Sequence, residues 1–275
     1  MVKVNFNIIK RTLILVVVVI SFCGCNKKHR SRFAEDHRDY SKKQTTATNV
    51  EAAQKPSTPI PDASDEFRKM AMATTVRLIV EPEKTKDSGT GFGFGSGVVV
   101  GKDDQNAVYV LTVWHAAEPG IRHVEFFPSL TGKPVRYSPP EVISKSERRD
   151  LALLRVEVDD RMDFQVAKIA PSGTNPRFGY SVGCSSGSAP TLLEENILRH
   201  AMIHPEGSEK RAKMWLTDMP QTQGRSGGAL LDENGNVLGI ALMATETQGF
   251  YCHNDEIREY LGNGTPAQHV KHVTN

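Results

Sequence analysis

Three polar residues, His115, Asp150 and Ser226, are of the types that together can make a serine nucleophilic. Ser226 lies in the glycine-rich segment 224–228, and an apolar run follows it. The same composition is also typical of a glycine-rich turn whose serine only forms a hydrogen bond to the local backbone. A nucleophilic serine also needs a base and a group that orients the base. His115 comes just past one apolar run and Asp150 just before another, although each of them alone is more simply a structural residue.

Short runs rich in β-branched residues must position these three side chains. Glycine, proline and Asp/Asn turns separate the runs, as between antiparallel strands, and the predicted strands are 74–80, 97–100, 107–113, 151–158, 214–216, 229–231 and 237–242. DENGN at 232–236 predicts a hairpin. One clear helical pattern begins with Asn254 as N-cap and ends before Gly262. Such a pattern over about 200 residues predicts an all-β pair of antiparallel barrels with a short C-terminal helix.

Three motifs, in their order, resemble one known family. LTVWHA around His115 is similar to the histidine motif of chymotrypsin-like serine peptidases, DLALLRV from Asp150 to their aspartate motif, and GRSGG around Ser226 to their serine motif. TDMPQTQGRSGG at 217–228 and GSGVV at 95–99 resemble the HtrA/Deg-type branch in particular. The resemblance runs from about Thr74 to Leu261, and it implies two six-stranded antiparallel β-barrels with the active cleft between them.

The resemblance also implies an activity and a role for each of these residues. The protein would be a serine endopeptidase, a hydrolase in which Ser226 attacks the carbonyl, His115 acts as general base and Asp150 orients the imidazole. The backbone N–H groups of Gly224 and Ser226 would form the oxyanion hole. The substrates would be polypeptides, namely exported or misfolded proteins.

Two residues depart from the family pattern. Arg225 stands where many trypsin-like enzymes carry an acid that pairs with a newly freed N-terminus, so activation by N-terminal cleavage is not expected. Because Arg225 is also not the HtrA-type asparagine, a peptide-binding module that kept the fold and lost turnover stays open as the alternative. Pro220 stands at the base of the primary pocket in place of an acid, which predicts a small or medium apolar P1 residue. The remaining substrate-binding residues would be Ile240, Ala241, Leu242 and Met243, a strand whose backbone would pair with an extended substrate.

The N-terminal segment predicts export. Residues 1–25 have a basic start and an apolar run too short to span a bilayer comfortably, which is typical of a signal peptide. The run ends in FCGC, which resembles a bacterial lipobox and predicts lipid modification of Cys25; ordinary cleavage and an uncleaved signal anchor are the alternatives. The protein would then be anchored to a membrane of the cell envelope. The remaining predicted parts are a flexible polar tether at 26–66, the protease domain at 67–263 and a tail at 264–275.

Other classes of partner and chemistry find less support. A net charge of +2, from 34 basic and 32 acidic residues, gives no indication of a nucleic-acid partner. His200 and His204 lack a third ligand, so we expect no metal and no cofactor. Cys184 and Cys252 could pair in an exported protein if their geometry allows it. An α/β-hydrolase esterase is disfavoured because its triad order is Ser, Asp, His. No PDZ domain is expected after the barrels, and the sequence does not indicate an oligomeric state.

Overall fold

The computed structural model describes residues 59–81, 93–128, 133–159, 162–205, 210–264 and 266. The predicted signal peptide, its Cys25 and residues 26–58 of the predicted tether lie outside these ranges, as does nearly all of the predicted tail. No helix in the described ranges has the length and the apolar character that crossing a bilayer requires.

The folded part of the chain begins before the boundary predicted at residue 67. Ile60 and Ala63 pack against the core, and the hydroxyl of Tyr180 donates a hydrogen bond of 2.9 Å to the carbonyl of Pro61. Helix α1, Asp65–Ala73, follows directly and packs beside the first strand. The polar composition of the segment predicts a solvated tether up to residue 66, whereas its few apolar side chains are enough to hold residues 60–66 on the domain.

The first half of the domain is an antiparallel sheet of seven strands. Its strands are β1 Thr75–Val80, β2 Gly93–Lys102, β3 Ala107–Thr112, β4 Ile121–Phe126, β5 Val135–Tyr137, β6 Glu141–Ser146 and β7 Leu151–Glu157. Their spatial order is β5-β4-β1-β2-β3-β7-β6. All six residues of β3 are buried, because this strand lies near the middle of the sheet with apolar neighbours on both faces. A one-turn helix α2, Trp114–Ala117, comes immediately after β3.

The second half is a closed antiparallel barrel of six strands. Its strands are β8 Phe178–Gly183, β9 Thr191–Ile203, β10 Ala212–Thr217, β11 Ala229–Leu231, β12 Val237–Ala244 and β13 Gly249–His253, in the order β10-β13-β12-β11-β8-β9. The predicted hairpin joins β11 to β12, with the amide of Asp232 donating to the carbonyl of Asn236 at 2.8 Å. The C-terminal helix α3, Asn254–Gly262, closes the domain.

The predicted all-β fold class is confirmed, with two differences in detail. The first half is a sheet of seven strands instead of a closed barrel of six, and the short β5 extends the edge formed by β4. The N-cap of α3 is His253 and not Asn254, since the Nδ1 of His253 accepts the amide of Asp255 at 3.0 Å. The side chain of Asn254 instead donates to the carbonyl of Pro171 at 2.8 Å.

Candidate active site

His115 and Asp150 form a hydrogen-bonded pair at the end of two neighbouring strands. The Nδ1 of His115 lies 2.5 Å from one carboxylate oxygen of Asp150, and the amide of His115 donates to the other at 2.8 Å. The carboxylate is nearly buried, at 7% exposure, whereas the imidazole is 45% exposed. Because Nδ1 faces the carboxylate, it carries the hydrogen of the neutral ring, and Nε2 is the basic nitrogen.

The backbone of Asp150 is held in an unusual conformation. Its φ of 51° lies in the left-handed region, which few residues other than glycine adopt and which asparagine and aspartate tolerate best. The carbonyl of Asp150 accepts the amide of Trp114 at 3.1 Å. Main chain and side chain of this residue therefore both bind α2, and α2 carries His115.

A buried ion cluster fixes the turn that leads into Asp150. We call residues 146–150 the aspartate turn. The side chains of Arg148 and Arg149 donate to one oxygen of Glu256 at 2.5 and 2.8 Å, and the other oxygen accepts the amide of Lys213 at 3.1 Å. Because Glu256 lies on α3, the aspartate turn of the first sheet is bound to the C-terminal helix of the second half.

Ser226 lies in a tightly bonded segment, residues 221–228, which we call the serine loop. Within it, the amide of Arg225 donates to Thr222 at 3.1 Å and the amide of Gly228 to Arg225 at 2.8 Å. The carbonyl of Ser226 accepts the amide of Ser96, on β2, at 2.8 Å. The serine loop is thereby attached to the first sheet as well as to its own barrel.

Strand β2 brings the serine loop close to the helix of His115. A Cβ added to Gly95 would lie 3.3 Å from the Cβ of Ala116, which follows His115, and 3.7 Å from the carbonyl oxygen of Ser226. A Cβ at this position would be tight against Ala116, so glycine lets the helix of His115 approach β2 closely. The three residues selected from the sequence thus lie around one short stretch of β2, although they are far apart in the chain.

Two amides of the serine loop differ from their neighbours. The amides of Arg225, Gly227 and Gly228 donate to carbonyls of the protein, whereas those of Gly224 and Ser226 have no hydrogen-bond acceptor among the residues that the structure describes. Gly224 has a φ of 89°, and a Cβ there would lie 2.5 Å from the carbonyl oxygen of Cys184. Glycine is therefore required at 224, and the conformation leaves two donors for an outside acceptor.

Ser96 is a site residue that the sequence analysis missed. Its fully buried hydroxyl donates to the carbonyl of Gly224 at 2.7 Å and accepts the amide of Cys184 at 2.9 Å. The hydroxyl of Thr112 in turn donates to the carbonyl of Ser96 at 2.7 Å. The signal in the sequence was the serine between Gly95 and Gly97. This segment resembles a family motif, but the motif alone indicates no function for the serine side chain.

The predicted substrate-binding residues divide into two groups. Pro220 is exposed beside the serine loop, and Met243 on β12 is partly exposed. Ile240, Ala241 and Leu242 are buried. The amide of Ala241 donates to Gly228 at 2.8 Å and its carbonyl accepts Gly227 at 2.9 Å. The prediction that the backbone of Ala241 pairs with a substrate is therefore wrong, because both its polar groups already bind the serine loop.

Both cysteines of the domain are free thiols. Cys184 and Cys252 are fully buried and unpaired, so the disulfide considered from the sequence is not formed. Burial raises the pKa of the Cys184 thiol to about 12 and raises that of Cys252 as well. A buried, protonated thiol is a poor nucleophile.

Comparisons with known proteins agree with this architecture. A family model described as trypsin-like peptidase domain matches residues 95–240. The Rv3671c protease of Mycobacterium tuberculosis, in its active form, is 19% identical with a TM-score of 0.57, over 78% of this chain and 93% of that one. An HtrA-type protease solved with a tripeptide is 19% identical with a TM-score of 0.53, over 69% and 59% of the two chains.

A third solved structure, a serine endoprotease from Yersinia pestis, is also similar. It is 19% identical with a TM-score of 0.53, over 73% of this chain and 66% of that one. At such identities the likeness is one of fold. No curated protein matches the sequence.

Proposed function

The chain belongs to the trypsin-like peptidase domain family, and from that premise we propose that it is an active serine endopeptidase with Ser226 as nucleophile, His115 as general base and Asp150 as the group that orients the base. The observation that carries the proposal is the 2.5 Å contact between the Nδ1 of a half-exposed His115 and the buried carboxylate of Asp150. A base held in one tautomer beside a reactive serine needs this pairing.

In the proposed reaction, His115 carries a proton between Ser226 and the leaving group. The Nε2 of His115 takes the proton of the Ser226 hydroxyl while that oxygen attacks the carbonyl carbon of the scissile bond. The imidazolium then gives the proton to the leaving amine, and the peptide bond breaks to leave an acyl-enzyme. Water repeats both steps, which releases the acid and restores the serine. Asp150 stays a carboxylate throughout and stabilises the imidazolium.

The oxyanion formed in each half of the reaction needs donors, and we propose the amides of Gly224 and Ser226. Their support is the lack of an acceptor for either amide among the described residues, whereas the amides of Arg225, Gly227 and Gly228 beside them are bonded. Preorganised donors of this kind lower the barrier by about 3 kcal/mol each. The hydrogen bond from Ser96 to the carbonyl of Gly224 holds the peptide plane that precedes Arg225.

We propose extended polypeptides with a small or medium apolar P1 residue as substrates. Pro220 places no charge beside the serine loop. A Cβ at Gly249 would lie 2.6 Å from the carbonyl oxygen of Met219 and 2.9 Å from the side-chain amide nitrogen of Gln221, so the strand at Gly249 packs closely against the residues on both sides of Pro220. The substrate backbone would pair beyond Ala241, along Met243 and Ala244, where β12 becomes partly exposed. Cleavage mainly after Lys or Arg in a peptide-library digest would contradict this assignment.

We further propose that the protein works on exported proteins from a membrane anchor. The support is the N-terminal sequence, with its short apolar run, its lipobox-like FCGC and the polar segment after it. Mass spectrometry of the membrane-extracted protein should give a lipid-modified Cys25 as the first residue. An intact residue 1 without lipid would refute the lipoprotein proposal.

A fluorophosphonate probe tests the proposed activity directly. We expect the full-length protein to be labelled at Ser226, and Ser226→Ala to abolish labelling. Ser172→Ala is the matched control, because Ser172 is an exposed serine whose hydroxyl bonds Asp255, and it should leave labelling unchanged. A folded wild-type protein that stays unlabelled and does not cleave casein would refute the peptidase and favour the binding module.

A further inference from the structure

Arg225, which precedes the proposed nucleophile, is the most deeply buried cation among the described residues. Its side chain is 1% exposed. The guanidinium donates to the hydroxyl of Ser181 at 2.7 Å and to the hydroxyl of Thr191 at 2.9 Å, and more weakly to the carbonyl of Gly183 at 3.3 Å. Arginine remains charged in such surroundings, so its charge must be balanced within the barrel.

A buried anion lies at the far side of the same interior. Glu195, on β9, is fully buried. Its carboxylate accepts the side-chain amide of Gln221 at 2.9 Å and the hydroxyl of Tyr251 at 2.9 and 3.0 Å. Burial raises the pKa of Tyr251 well above its usual range, and the charge of Glu195 raises it further, so this phenol is a lasting donor.

Two neutral side chains connect the cation to the anion. The Nε of Arg225 donates to the amide oxygen of Gln221 at 3.3 Å, and the amide nitrogen of Gln221 donates to Glu195. The hydroxyls of Ser181 and Tyr251 lie 2.9 Å apart. Since the one proton of the Tyr251 phenol goes to Glu195, Ser181 donates to Tyr251 and accepts from Arg225. The result is a bridged ion pair, in which Gln221 on one side and Ser181 with Tyr251 on the other connect Arg225 to Glu195.

This bridged pair determines where the main chain of the serine loop lies. Arg225 stands between Gly224 and Ser226, and neither of their amides has an acceptor among the described residues. A Cβ added to Gly183 would lie 3.3 Å from the Cα of Arg225. With the side chain held inside the barrel and the backbone of Arg225 close against Gly183, the two peptide groups that flank Arg225 have little freedom to move.

We propose that Arg225 and Glu195 are positioning residues, which hold the amides of Gly224 and Ser226 in place from inside the barrel. The inference rests on the proposed peptidase function. It assigns a structural function to Arg225, for which the sequence alone indicated none. Many trypsin-like enzymes carry an acid at this position that pairs with a newly freed N-terminus. Arg225 and Glu195 take the place of that pair, and both are present in the uncleaved chain. The loop is therefore preorganised without proteolytic activation.

Glu195→Gln in the full-length protein tests the proposal, because it removes the charge and keeps the shape. Glu194→Gln is the matched control, since it makes the same change one residue away, at a side chain that instead pairs with Arg68 at 3.2 Å. We expect Glu195→Gln to lower the maximal rate of fluorophosphonate labelling by about 30-fold or more, with the probe's half-saturating concentration within about twofold. Glu194→Gln should change neither quantity.

Hydrogen exchange gives a second readout that does not need activity. In the peptide spanning residues 219–228, we expect exchange of Glu195→Gln to be at least about tenfold faster than in wild type, and that of Glu194→Gln to be unchanged. If Glu195→Gln does not fold, Tyr251→Phe, which removes one bridging hydroxyl, should give a smaller acceleration in the same peptide. Unchanged exchange and labelling in the folded variant would overturn the inference. A wild type that resists labelling would refute the peptidase, and the exchange result would still decide whether the pair holds the loop.

Discussion

Mild acid should destabilise the protein through one buried histidine. His253 is 2% exposed, and it stacks on Trp215 with the ring centroids 4.1 Å apart. Its Nδ1 accepts the amide of Asp255 and so caps α3. Nε2 carries the hydrogen in this tautomer, so an added proton must go to Nδ1 and would displace the cap. Burial, helped by the charge of Lys213 and opposed by Asp255, lowers the pKa of His253 to about 4.

The size of the effect follows from the two pKa values. The unfolded chain has a histidine pKa near 6.5, so between pH 6.5 and 4 the unfolded state binds a proton that the folded state excludes. This contribution to stability is fully present above pH 6.5 and is lost as the pH falls towards 4. A shift of this size corresponds to about 3 kcal/mol in total, of which about 2.5 kcal/mol is lost by pH 4.5.

His253→Asn isolates this contribution, because asparagine is a strong N-cap that does not titrate. We would measure the free energy of unfolding in urea for both proteins at pH 8.5, 7.5 and 4.5. The difference between them should be constant from pH 8.5 to 7.5 and should then move by about 2.5 kcal/mol in favour of the variant at pH 4.5. A difference that stays constant down to pH 4.5 would refute the reasoning that a neutral His253 caps the helix.

Three other contacts give expectations of the same kind. Ser96→Ala leaves the buried amide of Cys184 and the carbonyl of Gly224 without a partner, so the free energy of unfolding in urea should fall by about 2–4 kcal/mol. Ser188→Ala, at an exposed position, should lower it by less than about 0.5 kcal/mol. Equal losses in the two variants would contradict the role of Ser96. Glu256→Gln removes the charge between Arg148 and Arg149, while Glu259 still pairs with Arg149, and should lower stability by about 2 kcal/mol in the same assay; an unchanged midpoint would show that the cluster does not hold the aspartate turn. Cys184 and Cys252 should resist iodoacetamide in the native protein and react after unfolding, as read by intact mass; fast native labelling of either would contradict their burial.

Much of the fold could be predicted because its central strands are apolar on both faces. Strands β3 and β7 lie inside the first sheet, and their mainly apolar runs were found within one residue of their ends. The hairpin at 232–236 was found because its turn chemistry is local. Strands such as β6, Glu141–Ser146, were missed, since this edge strand is largely exposed and has no alternating apolar pattern.

Part of the candidate site was also predictable, since the motifs selected His115 and Asp150, which the structure pairs, whereas the role of Ser226 as nucleophile stays a prediction. The residues that support these three were not predictable. Ser96 and Gly224 lie 128 positions apart in the chain, and no local pattern indicates that one will bond the other. Glu195 is one of two adjacent acids on a long strand, and only the closed barrel brings it, and not Glu194, across from Arg225. Local composition predicts elements, whereas contacts between distant elements depend on the assembled fold.

The ion cluster that binds the aspartate turn to α3 affects the order in which the parts of the protein fold. Arg149 and Glu256 are 107 positions apart, so a chain emerging from the ribosome or a translocation channel can complete the first sheet long before Glu256 exists. Until α3 docks, Asp150 and its left-handed backbone lack the contact that fixes the turn. The aspartate turn is therefore fixed only after the C-terminal helix has docked, so the proposed activity would arise late in folding.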